Sequence, residues 1–187
     1  MRTGRWSVLL ALAASLAAQE RDLGVSLVRV QRKVALVIGN AAYPQSPLKN
    51  PVNDATAMAG VLRRLGFEVT EGRDLGRQQM AEAIDRFAGR VQAGDLALFY
   101  YAGHGAQLQQ ENYLIPVDFQ ATSAADLKFK AYPASLAREK LEETGARLRI
   151  LILDACRNNP FPATRSGADG LAAMKSNAEG TLIAFAT

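Results

Sequence analysis

Five short segments of this chain read as strands, most of them apolar at nearly every position. They are KVALVIG (33–39), the shorter and more polar FEVTEG (67–72), DLALFYYAG (95–103), RLRILILDA (147–155) and GTLIAFA (180–186). Such near-continuous runs fit strands covered on both faces, as in a parallel sheet. Between them the hydrophobic period changes to that of a helix. In NPVNDATAMAGVLRRLG, Asn50 is a candidate N-cap, Pro51 takes the first helical position and Gly66 is the stop. Val52, Ala55, Ala59, Leu62 and Leu65 fall on one face. GRQQMAEAIDRFAGRV repeats the pattern with Met80, Ala83, Ile84, Phe87 and Val91. ASLAREKLEETG does so with Leu136, Lys140 and Leu141, and Gly145 follows it. AQLQQENYLIPVD reads as a small hairpin. The order β-α-β-α-β-(hairpin)-α-β-β predicts an α/β sandwich with a mostly parallel central sheet. No internal repeat, low-complexity segment or second domain is visible.

Composition changes this picture little. The chain has 187 residues, 49% of them hydrophobic, which suits one domain with a sizeable core. The net charge of +4 points toward nucleic acid only until it is located. Residues 1–18 hold Arg2 and Arg5 and no acid, so the rest of the chain carries 20 basic against 18 acidic residues. No basic stripe is interleaved with aromatics, and no nucleic-acid partner is expected. The opening MRTGRWSVLLALAASLAAQE has a short basic region, an apolar core from Trp6 and small residues before Gln19. It reads as a signal peptide over residues 1–18, cleaved after Ala17 or Ala18, with the mature protein exported to the periplasm or beyond. The apolar stretch is shorter than the ~20 residues of a spanning helix, so no stable membrane insertion is expected. A short uncleaved anchor is the alternative.

The chain has one cysteine, Cys156, and one histidine, His104. An internal disulfide is excluded, and so is a Cys/His zinc site, which needs four such ligands. No cofactor is expected. On count alone a lone cysteine is more often a small buried hydrophobe than a nucleophile. Position argues the other way. Functional residues of an open parallel sheet gather beyond the carboxyl ends of its strands. Gly103-His104-Gly105 ends the third run and Asp154-Ala155-Cys156 the fourth. With parallel strands, the thiol and the imidazole emerge at the same edge, with Asp54 nearby in the first turn of the first helix. An imidazole can take the thiol proton and later protonate a leaving amine. The backbone N–H groups of Gly105 and Cys156 could face a developing oxyanion.

YYAGHG followed by LILDACRNNP resembles the caspase-like cysteine peptidases, the clan of caspases, metacaspases and their bacterial relatives. Cys156 stands 52 residues after His104, close to the ~50 of the caspase pattern. KVALVIGNAAYPQSPLKNPVNDA resembles the opening of the bacterial, metacaspase-like branch, and the likeness covers residues 32–187. It implies a caspase-like α/β/α sandwich, a His104/Cys156 dyad and oxyanion donors at Gly105 and Cys156. It also implies that Asp54 and Asp154 line the pocket for the residue before the scissile bond. Two carboxylates there favour Arg or Lys. The expected function is a cysteine endopeptidase acting on polypeptides after Arg or Lys. Ala102 and Pro51 stand where many metacaspases carry Ser and Cys, leaving a less polar pocket. Calcium stimulates some metacaspases, but no ligand cluster indicates it here. In the family's fold the chain continues past the fifth parallel strand, so a missing C-terminal region or subunit is a further expectation. Self-cleavage after Arg165 or Lys175 is another.

Each site residue also has a plainer reading. Asp54 alone would be a helix N-terminal carboxylate, worth ~0.3–1 kcal/mol. Asp154 beside the sulfur would hinder thiolate formation, so it makes more sense directed at a substrate cation. Tyr100 and Tyr101 read as core and sheet-face residues, and Arg157 as a loop brace. GNAAY is too weak to mark a nucleotide site. For the molecule as a whole, the alternative is a non-catalytic caspase-like module that binds peptides or proteins.

Overall fold

The apolar runs pair side by side, and the central ones, KVALVIG and DLALFYYAG, are buried on both faces. In the computed structural model, which describes residues 29–156, 171–176 and 178–186, they form β1 (Lys33–Gly39), β2 (Glu68–Arg73), β3 (Leu96–Leu108), β6 (Leu148–Cys156) and β7 (Thr181–Ala186). These five strands are parallel, in the order β2-β1-β3-β6-β7. Helices α1 (Pro51–Arg64), α2 (Arg77–Arg90) and α4 (Ala134–Glu142) cover them. Side chains alternate across a strand. Leu36, Phe99, Tyr101, Leu151 and Leu153 therefore pack on Met80, Ile84, Phe87 and Leu141 of α2 and α4. Ala35, Val37, Leu98, Tyr100 and Ala102 pack oppositely, on Ala55, Ala59 and Leu62 of α1. The result is the expected α/β/α sandwich. The signal-peptide segment and Arg157 and Arg165 lie outside the described residues.

Several local features depart from the sequence pattern. Strand β3 does not stop at Gly103; it runs on to Leu108. Its parallel pairing with β6 reaches His104, and from Gly105 onward it pairs antiparallel with β4 (Glu111–Leu114). Gln109 and Gln110 close that hairpin with φ of 53° and 68°. Two left-handed residues in a two-residue loop match the right-handed strand twist, even without the usual Asn or Gly. A short helix α3 (Asp126–Lys130) and the two-residue β5 (Tyr132–Pro133) complete this extension, and α3 had no signal in the hydrophobic period. Leu65 falls just past α1 and is 57% exposed, so it leaves the apolar face predicted for it.

The carboxyl end of β1 receives α1 closely. A Cβ on Gly39 would stand 2.6 Å from the Pro51 carbonyl oxygen and 2.7 Å from the Ala55 Cβ. Glycine thus lets the first turn of α1, with Asp54, sit directly on the strand ends. Asn50 takes the N-cap position but makes no side-chain cap hydrogen bond.

Candidate active site

His104 and Cys156 are direct register partners on adjacent parallel strands. Neighbouring strands lie about 4.8 Å apart. The sheet thus brings the two residues' backbones together at one edge, as the strand-end argument predicts.

His104 is held on every side. It is 3% exposed, and its ring leans on Tyr43 with centroids 4.5 Å apart. Its backbone N–H donates to Tyr43 Oη at 3.0 Å, and its carbonyl accepts from Tyr101 Oη at 2.8 Å and from the Ile115 N–H at 3.0 Å. Tyr43 Oη in turn donates to the Ile115 carbonyl at 3.0 Å. Each hydroxyl has one proton, and this assignment uses each once. Burial pushes the Tyr43 phenol up to about 12, so it stays protonated. Gly103 makes the arrangement fit. A Cβ there would stand 2.6 Å from Tyr101 Oη and 2.7 Å from Tyr43 Oη.

The ring has a defined tautomer. His104 Nε2 lies 2.8 Å from the Ser46 carbonyl oxygen, which can only accept, so Nε2 carries the proton. In the neutral ring Nδ1 then holds the lone pair. Burial lowers the imidazole pKa below its ordinary 6.5, and the Ser46 bond opposes this only in part. His104 is therefore a neutral base near pH 7. The loop that delivers Ser46 and Tyr43 is itself anchored. Asp74 Oδ1 accepts from the N–H groups of Ala41 and Ala42 at 2.7 and 2.9 Å. Buried Asn40 exchanges two hydrogen bonds with the Leu75 backbone. The GNAAY segment thus serves as a brace for the histidine. Sequence reading missed Asn40, Tyr43, Ser46 and Asp74 in this role, and set Tyr100 and Tyr101 down as core and sheet-face residues. The partners of the missed four lie 32 to 61 residues away, and no local pattern announces them.

Asp54 and Asp154 share one cavity. Both line a pocket of about 230 Å³ beside Gly103. Asp54 is exposed in the first turn of α1, and Asp154 is half-buried on β6. Ala102 and Pro51 line the same pocket, and Lys49 stands at it too, a cation that sequence reading did not place. Beneath it, buried Tyr100 donates to Asp154 Oδ2 at 3.0 Å. Burial first, then the Asp154 bond and the two carboxylates, raise the Tyr100 phenol far above its ordinary value. Gly105 is close-packed: a Cβ would stand 2.9 Å from the Ala155 Cβ and 3.1 Å from Leu171 Cδ2. Among the described residues no group of three or more His, Cys, Asp or Glu could hold a metal ion. No helix among them is long and apolar enough to cross a membrane.

Comparison with known proteins gives this geometry a family. Residues 32–187 match the caspase domain. Over 127 residues, 67% of the chain, the sequence is 36% identical to mucosa-associated lymphoid tissue lymphoma translocation protein 1 of Homo sapiens and to its homolog of Mus musculus. The match spans 15% of the length of each of these relatives. A probable protease of a Desulfuromonadales bacterium is 35% identical over 91 residues, 46% of the chain and 10% of that protein. The structure of pro-sf-caspase-1 superposes with a TM-score of 0.59 at 15% identity, covering 83% of this chain and 60% of that one. A Geobacter sulfurreducens protein does so with a TM-score of 0.52 at 21% identity, covering 67% of this chain and 50% of that one. At such identities the likeness is one of fold. The match to the domain over nearly all of the described chain carries the assignment: the chain belongs to the caspase-domain family of cysteine peptidases.

Proposed function

We propose that the chain is a thiol endopeptidase of the metacaspase-like kind, hydrolysing peptide bonds after Arg or Lys with a His104/Cys156 dyad. The observation that carries this reading is the register pairing of His104 with Cys156, beside a pocket that holds two carboxylates. His104 Nδ1 takes the Cys156 proton, and the thiolate attacks the scissile carbonyl carbon. The N–H groups of Gly105 and Cys156 hold the oxyanion. His104 then gives its proton to the leaving amine, and a thioester remains. Water, deprotonated by His104, attacks the thioester, and collapse of the second tetrahedral intermediate releases the acid and restores the thiol. Asp54 and Asp154 receive the side chain of the residue before the scissile bond, which favours a cation. Both reacting groups are side chains, so the reading calls for no cofactor. It places the mature protein outside the cytoplasm, after loss of residues 1–18. Among the described residues β7 pairs only with β6, and its Leu182 is 58% exposed, which suits a further strand or subunit packed there.

The test is hydrolysis of fluorogenic peptides ending in Arg, Lys or Asp, with Cys156→Ala as control. Turnover of the Arg and Lys peptides alone, absent in the control, is expected. Turnover confined to the Asp peptide would keep the dyad and remove Asp54 and Asp154 from the pocket. Turnover that survives Cys156→Ala would remove the dyad.

A further inference from the structure

Asp154 is not free to turn at the pocket wall. Tyr100 on β3 is the register partner of Ile152, and Asp154 follows two residues later on the same face of β6. The phenol is 3% exposed and packed in the layer between the sheet and α1. Its hydroxyl donates to Asp154 Oδ2 at 3.0 Å. The bond has one direction, because an ionised carboxylate only accepts. Two residues further along the same face of β3 is Ala102, whose methyl leaves space that a larger side chain would fill; that space belongs to the pocket.

We infer that Tyr100 is a positioning residue that presets the plane of the Asp154 carboxylate, and so makes the pocket prefer a guanidinium to an ammonium. The inference deepens the proposed function and rests on its basic pocket. A guanidinium binds a carboxylate through two parallel N–H groups that must lie in the carboxylate plane. An ammonium is a compact point charge with rotatable donors, and takes a carboxylate in almost any orientation. With Oδ2 tied to Tyr100, rotation about the Cβ–Cγ bond is restrained before substrate arrives, and the ordering cost falls on the protein rather than on the complex. The depressed acidity of the phenol keeps the donor in place: burial and two nearby carboxylates oppose its ionisation.

The experiment uses the full chain with Cys156→Ala, so that binding is read without turnover. Fluorescence anisotropy measures Kd for one labelled peptide ending in Arg and for its Lys counterpart. Tyr100→Phe deletes only the hydroxyl, and is expected to weaken the Arg peptide about tenfold, the cost of one hydrogen bond to a charged group. The Lys peptide should weaken far less. Added to Asp154→Asn, Tyr100→Phe should change nothing further. A purely structural role would weaken both peptides equally, and that result overturns the inference, as does an unchanged Arg affinity. The two levels separate through Asp154→Asn. Loss of Arg binding in that variant with none in Tyr100→Phe leaves the basic pocket standing and removes Tyr100. No loss in Asp154→Asn removes the basic pocket itself, and the inference with it.

Discussion

At the scale of single residues, the site depends on which atom carries a proton. The Ser46 carbonyl fixes it on His104 Nε2, and burial keeps the ring neutral. A neutral imidazole accepts a proton, and a charged one does not. Because burial lowers the His104 pKa, the acid limb of kcat/KM should fall below pH 6.5, and rate is lost as pH drops through that lower value. A pH–rate profile on an Arg peptide checks this, and an acid limb above 6.5 would contradict it. The same shift links to stability. Above 6.5 both folded and unfolded chains hold a neutral imidazole. Between 6.5 and the lowered folded value the unfolded chain binds the proton first, so the native state loses stability as pH falls through that window. Of these features, only the identity of the two candidate reacting residues was legible in the sequence. The histidine and cysteine are each unique in the chain and follow strongly apolar runs, although β3 itself continues past His104 to Leu108. The tyrosine clamp was not legible, because Tyr43 and His104 are 61 positions apart.

At the scale of elements, helix starts are set by neighbours as much as by their own residues. Helix α2 has Gly76 at its N-cap, which offers no side-chain acceptor. Gln79 Oε1 takes the Gly76 N–H at 3.0 Å, and Asp118, from the segment after β4, takes the Arg77 N–H at 2.9 Å. A Cβ on residue 76 would stand 2.6 Å from Asp118 Oδ2, so glycine admits this cap from outside. Asp118→Ala should cost about 1 kcal/mol, as loss of a cap acceptor does. Chemical denaturation would read it, and an unchanged midpoint would show that the contact contributes nothing. The hydrophobic period located α1, α2 and α4 within about two residues at their starts, because each has an apolar stripe facing the sheet. It could not find α3, whose five residues are too few for a period to show.

At the scale of the whole molecule, the amino ends of the strands are tied at Asp95, whose side chain is sealed from solvent. Arg32, leading into β1, reaches its carboxylate at 2.6 Å, and the Gln92 N–H donates at 2.8 Å. The Asp95 backbone carbonyl meanwhile accepts from Arg147 and Leu148 at the start of β6. One residue thus joins three strands at the end opposite the site. The Arg32 hydrogen bond, more than burial opposes it, holds the Asp95 carboxyl below its ordinary 3.8. Its stabilisation is complete above 3.8 and is lost as pH falls through the lower folded value. Asp95→Asn should lower Tm at pH 7 and flatten its decline in acid; parallel melts at pH 7 and pH 3 test both. Sequence alone determined the layers, because a strand covered on both faces must be apolar at nearly every position and a helix on one side only. It determined which residues could do chemistry, because nucleophile and base need a thiol and an imidazole and the chain has one of each. Tertiary structure decided what pairs with what. Strand order and register put His104 opposite Cys156, and Tyr100 within reach of Asp154. Those contacts join residues more than fifty positions apart. Only the packing of all three layers fixes them, and a one-residue slip in register would undo them.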